Sequence, residues 1–151
     1  APPNGGIEAL TRLADGRLLA ITEGHRRAGG GVGWLDGERA WSTLSYATRD
    51  GFRPTGATTL PGGDVVVLER RYALGQGVAI RVTRVAGPTI APGTRLEGVL
   101  VAEIAPPLSV DNFEGIAARR GAGGQTLLYM ISDDNYSALQ RTLLMMFELR
   151  R

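Results

Sequence analysis

The stretch Gly6-Ile7-Glu8-Ala9-Leu10-Thr11-Arg12-Leu13, followed by Asp15-Gly16 and then Arg17-Leu18-Leu19-Ala20-Ile21-Thr22-Glu23, decides the fold because its pattern occurs three times. It returns as Pro54-Thr55-Gly56-Ala57-Thr58-Thr59-Leu60, Gly62-Gly63 and Asp64-Val65-Val66-Val67-Leu68-Glu69-Arg70. It returns again as Phe113-Glu114-Gly115-Ile116-Ala117-Ala118-Arg119, Gly121 to Gly124, and Gln125-Thr126-Leu127-Leu128-Tyr129-Met130-Ile131-Ser132-Asp133. Each reads as strand, tight glycine turn, strand, because Asp-Gly and Gly-Gly supply the positive φ that a short hairpin needs.

The turn glycines Gly16, Gly63 and Gly124 are 47 and 61 residues apart. That spacing is too long for stacked hairpins and suits a four-stranded unit. The other strands follow each hairpin: 31–35 and 40–46, then 77–85 and 96–104, then 141–149 alone. The second strands (18–21, 65–68 and 127–131) are continuously apolar, the mark of a strand covered on both faces. Glycine and proline fall between strands, and 136–140 is the one stretch that could form a helical turn, too short to matter.

The expectation is an all-β chain of β-propeller blades, about three four-stranded antiparallel blades forming a single partial propeller domain over residues 1–151. Blade 1 spans about 4–50, blade 2 about 51–107 and blade 3 about 108–151, the last lacking its outermost strand. A ring needs roughly four to eight blades, so an apolar blade face should be left open at each end. A second copy in a homodimer, or a missing N-terminal half, would complete the ring.

Composition excludes several function classes. The 151 residues carry no cysteine, so thiolate metal sites, disulfides and cysteine nucleophiles are absent. No apolar run approaches the ~18 residues of a membrane span; the longest is of the kind Thr142-Leu143-Leu144-Met145-Met146-Phe147. The start, Ala1-Pro2-Pro3-Asn4-Gly5-Gly6, has no basic and apolar leader and no Met, and reads as cut from something longer. All 17 basic residues are Arg, scattered as singles and pairs against 15 acids for a net charge of +2. That distribution gives no nucleic-acid footprint.

Asp111-Asn112-Phe113-Glu114-Gly115-Ile116-Ala117, Tyr129-Met130-Ile131-Ser132-Asp133-Asp134-Asn135 and Gln140-Arg141-Thr142-Leu143-Leu144 together resemble the C-terminal half of the phytase-like propeller family, whose members are called proteins with "esterase-like activity of phytase". Glu69-Arg70-Arg71-Tyr72 and Gly5-Gly6-Ile7-Glu8-Ala9-Leu10 are similar to the same family. The resemblance implies a bacterial, exported protein, periplasmic or secreted, of about twice this length. It implies a hydrolase of phosphoric or carboxylic esters with channel-mouth carboxylates holding Ca²⁺, and no organic cofactor.

Superposed repeats put Glu8, Thr55 and Glu114 at one equivalent position, at the start of the strand that lines the channel. Second-strand ends add Glu23, Glu69 and Asp133-Asp134, with Asp111 and Asn112 just before Glu114. Oxygen ligands from several loops suit Ca²⁺, and the resemblance carries that role onto Glu8, Asp111, Glu114, Asp133 and Asp134. The same acids could instead pair with arginines, as Glu69 beside Arg70 and Arg71 invites, or cap turns. Arg53, Arg70, Arg71 and Tyr72 could hold a phosphate, or be a solvated blade edge. Catalytic candidates are Glu8, Glu114 and His25, the sole histidine, in a glycine-rich loop with no acid partner nearby. No Gly-x-Ser-x-Gly elbow is present. Two functions stay open: an ester hydrolase acting on a small molecule, and a non-catalytic propeller that binds a ligand or protein partner at its channel mouth.

Overall fold

The computed structural model describes residues 5–150 apart from 28, 29, 76, 109 and 139, and for residues 25–27 the backbone alone. Among the described residues the strands are β1 (Ile7–Arg12), β2 (Leu18–Arg27), β3 (Gly30–Leu35), β4 (Ser42–Tyr46), β5 (Arg53–Thr59), β6 (Val65–Ala73), β7 (Gly77–Val85), β8 (Arg95–Leu96), β9 (Val99–Ile104), β10 (Phe113–Arg120), β11 (Thr126–Ser132) and β12 (Leu144–Leu149). They form three sheets with orders β1-β2-β3-β4-β8, β5-β6-β7-β9 and β10-β11-β12. The chain is all-β and takes the β-propeller fold.

The three inner hairpins close in one way. Leu13 N–H donates to the Arg17 carbonyl and Gly16 N–H to Leu13; Leu60 and Gly63, and Gly121 and Gly124, repeat the pair. Gly16, Gly63 and Gly124 sit at φ +93°, +94° and +81°, where a side chain would strain the turn.

Packing follows from the alternation of strand side chains. Val65 and Val67 of β6 belong to the core between the first and second sheets, with Leu19, Ile21 and Leu35. Val66 and Leu68 point the other way, into a second core with Phe113, Leu128 and Met130. All four of these β6 side chains are 0% exposed, so in β6 the continuous apolar run does mark a strand covered on both faces, whereas in β11 Ile131 is 46% exposed. The outer sheets are covered on one face only. Ile7, Leu10 and Trp41 are 49–55% exposed on the first sheet, and Ile131, Leu144 and Met146 are 46–70% exposed on the third.

One strand differs from expectation. Residues 96–104 do not form a single strand: Arg95–Leu96 pairs in parallel with β4, and Val99–Ile104 pairs with β7. The segment crosses from one sheet to the next at Gly98. There a Cβ would lie 2.8 Å from Thr83 Cβ and 3.2 Å from Tyr46 Oη, so only glycine fits without displacement.

The innermost strands are stitched side by side. Thr11 and Thr59 hydroxyls meet at 3.0 Å, and Thr58 Oγ1 accepts from Ala118 N–H at 3.1 Å. Thr55, 4% exposed, donates to the Phe113 carbonyl at 3.0 Å. Thr55→Val keeps the volume and loses that bond, and should cost about 1–2 kcal/mol in urea unfolding; an unchanged midpoint would show that the bond contributes nothing net.

Candidate functional site

Each inner strand breaks register once. The shift lies between Ile7 and Ala9, between Pro54 and Gly56, and between Phe113 and Gly115. The extra residues are therefore Glu8, Thr55 and Glu114, the three positions that the repeats superpose. A bulge re-aims its extra side chain out of the ordinary alternation. Thr55 uses this to bind the neighbouring strand, while Glu8 and Glu114 meet other charged groups.

Arg70 of β6 is the cation of the cluster. Its guanidinium lies 3.6 Å from Glu23 Oε1 and 3.9 Å from Glu114 Oε1. The Glu8 carboxyl is pushed above the usual range, first by partial burial and then by Glu23 and Glu114, with Arg70 pulling it back. Asn112, 1% exposed, donates through Nδ2 to Glu114 Oε1 at 2.7 Å, and its Oδ1 is buried without a hydrogen-bond partner among the described groups. Three carboxylates and one guanidinium thus share the rim where the inner strands begin. Such a group can hold an anionic oxygen on the arginine and move a proton through a carboxyl of raised pKa.

The other sequence candidates fall elsewhere. Asp111 accepts from the backbone N–H groups of Asn112 and Arg141, at 2.9 and 2.8 Å. Asp133 accepts from Asn135 N–H, and Asp134 from Tyr136 N–H and the Thr142 hydroxyl. These three carboxylates shape loops, so of the five residues assigned to calcium the structure brings together Glu8 and Glu114. Among the described residues no three acidic or histidine side chains are grouped closely enough to hold a metal ion. Arg70 is the cation that Glu23 and Glu114 face at the rim.

Arg53 faces Arg70 across the β5–β6 register and is exposed. Arg71 lies 4.9 Å over the Phe52 ring, and Tyr72 is 69% exposed. Neither Arg71 nor Tyr72 joins the cluster as described. The His25 side chain lies outside the described residues; its backbone is in β2. Glu69 is not paired with the arginines beside it: it is 4% exposed and shares a hydrogen bond with Tyr46 of the first sheet. Nothing local in sequence signals that partnership, because it crosses between sheets.

Comparison with known proteins bears on the fold and family. A family model described as "Phytase-like: Esterase-like activity of phytase" matches residues 1–136. A solved structure from Thermus thermophilus, assigned as an oxidoreductase (glucose dehydrogenase), superposes with a TM-score of 0.50 at 22% identity. That match covers 86% of this chain and 38% of the other, so the chain spans well under half of that protein. No curated protein is significantly similar to the chain. Among the described residues no helix is long and apolar enough to cross a membrane, which leaves β-barrel spans unaddressed.

Proposed function

We propose, from the premise that this chain belongs to the phytase-like family of esterase-like activity of phytase, that it is part of a propeller hydrolase cleaving a phosphate or other ester at its rim. The observation that carries this reading is the placement of Glu8 and Glu114 at equivalent bulges with Arg70 beside them. In this scheme Arg70 holds the anionic oxygen of the ester. Glu8 as carboxylate takes a proton from water, whose oxygen attacks phosphorus or the acyl carbon. The ester bond to the alcohol oxygen breaks, and the Glu8 proton passes to that leaving oxygen. Glu114, positioned by Asn112, keeps Arg70 oriented.

The test is turnover of p-nitrophenyl phosphate and p-nitrophenyl acetate by the wild type and by Glu8→Gln. A general-base role predicts roughly a 10²-fold or greater loss in kcat. Equal, non-zero rates would take Glu8 out of the reaction, and no turnover by the wild type would replace the hydrolase with a propeller that only binds at its channel mouth. Added calcium is a second arm: a rise in Tm would mean that the rim carboxylates rearrange around an ion.

The ring itself requires more than three sheets. In our reading, further sheets cover the exposed faces around Trp41 and around Leu144, supplied by a longer chain or by a second copy. Sedimentation of the isolated chain should show self-association; a strictly monomeric species would remove the second-copy version. An exported, periplasmic or secreted location belongs to the same proposal and rests on the family alone.

A further inference from the structure

Away from the rim, the first and second sheets border a half-open cavity of about 240 Å³ with Tyr46, Glu69, Thr83 and Gly98 on its inner wall and Arg49, Asp50 and Arg81 among its charged lining. The polar groups of its inner wall are buried and close together. Tyr46 Oη lies 2.7 Å from Thr83 Oγ1, and the Glu69 carboxyl bonds to Tyr46. Tyr46 is 0%, Glu69 4% and Thr83 6% exposed. The charged groups at its mouth are already matched. Arg81 donates to Asp50 at 2.8 Å and to Glu103 at 2.7 Å, and Arg49 donates to Glu97 at 2.8 Å. Burial, eased by Tyr46 and Arg81, pushes Glu69 up to about 7, so below that pH its protonated carboxyl can donate as well as accept.

We propose that this inter-sheet cavity is a binding site for a small neutral polyhydroxylated molecule, held by Tyr46, Glu69 and Thr83. A hydroxyl donates and accepts, as do the groups lining the wall. A neutral ligand leaves the Arg81–Asp50, Arg81–Glu103 and Arg49–Glu97 pairs in place, and unlike an ion it gives up no charge hydration on entry. The volume is below the range for drug-sized ligands, which limits the occupant to a polyol of a few carbons. Gly98 sets that space, since a methyl there would press on both hydroxyls.

The experiment is a calorimetric and ¹⁵N NMR titration of the whole chain with glycerol, erythritol and xylitol, using phosphate and ethanolamine as charged probes. The expected result is saturable polyol binding that shifts the Thr83 and Gly98 amides. Thr83→Val, which keeps the side-chain volume, should weaken it about tenfold, the equivalent of one lost hydrogen bond. Ester turnover at the rim should not change in that variant, which separates this site from the hydrolase reading. Gly98→Ala should abolish binding, and the valine variant keeps the test open if the alanine variant fails to fold. Absence of saturable polyol binding overturns the proposal. So do charged probes shifting the same amides, or Thr83→Val binding as tightly as the wild type.

Discussion

Glu69→Gln is expected to abolish most of the pH dependence of stability between pH 5 and 8, and to stabilise the protein at pH 8 by up to about 3 kcal/mol. Glu69 is 4% exposed, and its carboxyl rises from an ordinary 4.5 to about 7, chiefly because burial disfavours the charged form. The sign follows from proton uptake. Between these two values the folded chain holds a proton that the unfolded chain has released. The stabilisation is therefore complete below about pH 4.5 and is lost as pH rises through 7. Glutamine mimics the neutral carboxyl at every pH, so the variant should approach the wild type as pH falls below about 4.5 and exceed it at pH 8. For a chain of this size the difference is on the order of 5–10 °C in Tm. Parallel melting curves for the two proteins from pH 5 to 8 would show that Glu69 does not titrate in this window.

Arg70→Gln is expected to lower kcat/KM for an anionic ester by roughly 10² or more, about 3 kcal/mol of transition-state stabilisation. The ion pairs to Glu23 and Glu114 are long, at 3.6 and 3.9 Å, and all three side chains are partly exposed. Their loss should cost less than about 1 kcal/mol of folding stability, so activity and stability should separate. The variant should also move the pH profile. Arg70 holds the Glu8 carboxyl down against burial, Glu23 and Glu114. Without it, Glu8 ionises at higher pH, and the acid limb of the profile should shift upward. Unchanged kcat/KM with an unshifted limb would take Arg70 out of the catalytic reading and leave it as a counter-ion.

Much of this architecture is visible in local sequence because the informative features are local. Gly16, Gly63 and Gly124 announce hairpins whose hydrogen bonds then recur residue for residue. The apolar run of β6 announces a strand with a core on each side. Glu8 and Glu114 could be paired from sequence because equal offsets from a repeated turn lead to equal places around an axis. The parts that could not be read depend on meetings between sheets. Glu69 sits beside two arginines in sequence, yet Tyr46 answers it from 23 positions away. The two-residue strand β8 is too short to carry a pattern, and it exists because β4 offers a free edge as the chain passes. Asp111, Asp133 and Asp134 have the composition of metal ligands, and their backbone-amide partners could not be read from that composition.

The bulge shared by β1, β5 and β10 has an evolutionary consequence. An extra residue set outside the ladder is freed from the alternation of its neighbours, so at the exposed bulges of Glu8 and Glu114 the side chain can drift without disturbing the sheet that carries it, whereas Thr55 is held by its bond to Phe113. Around the axis, such a protein works like a combination lock with one wheel per sheet. This chain shows three adjacent wheels, set to acid, hydroxyl and acid, and on the hydrolase proposal a change at either acid setting would alter what the rim accepts.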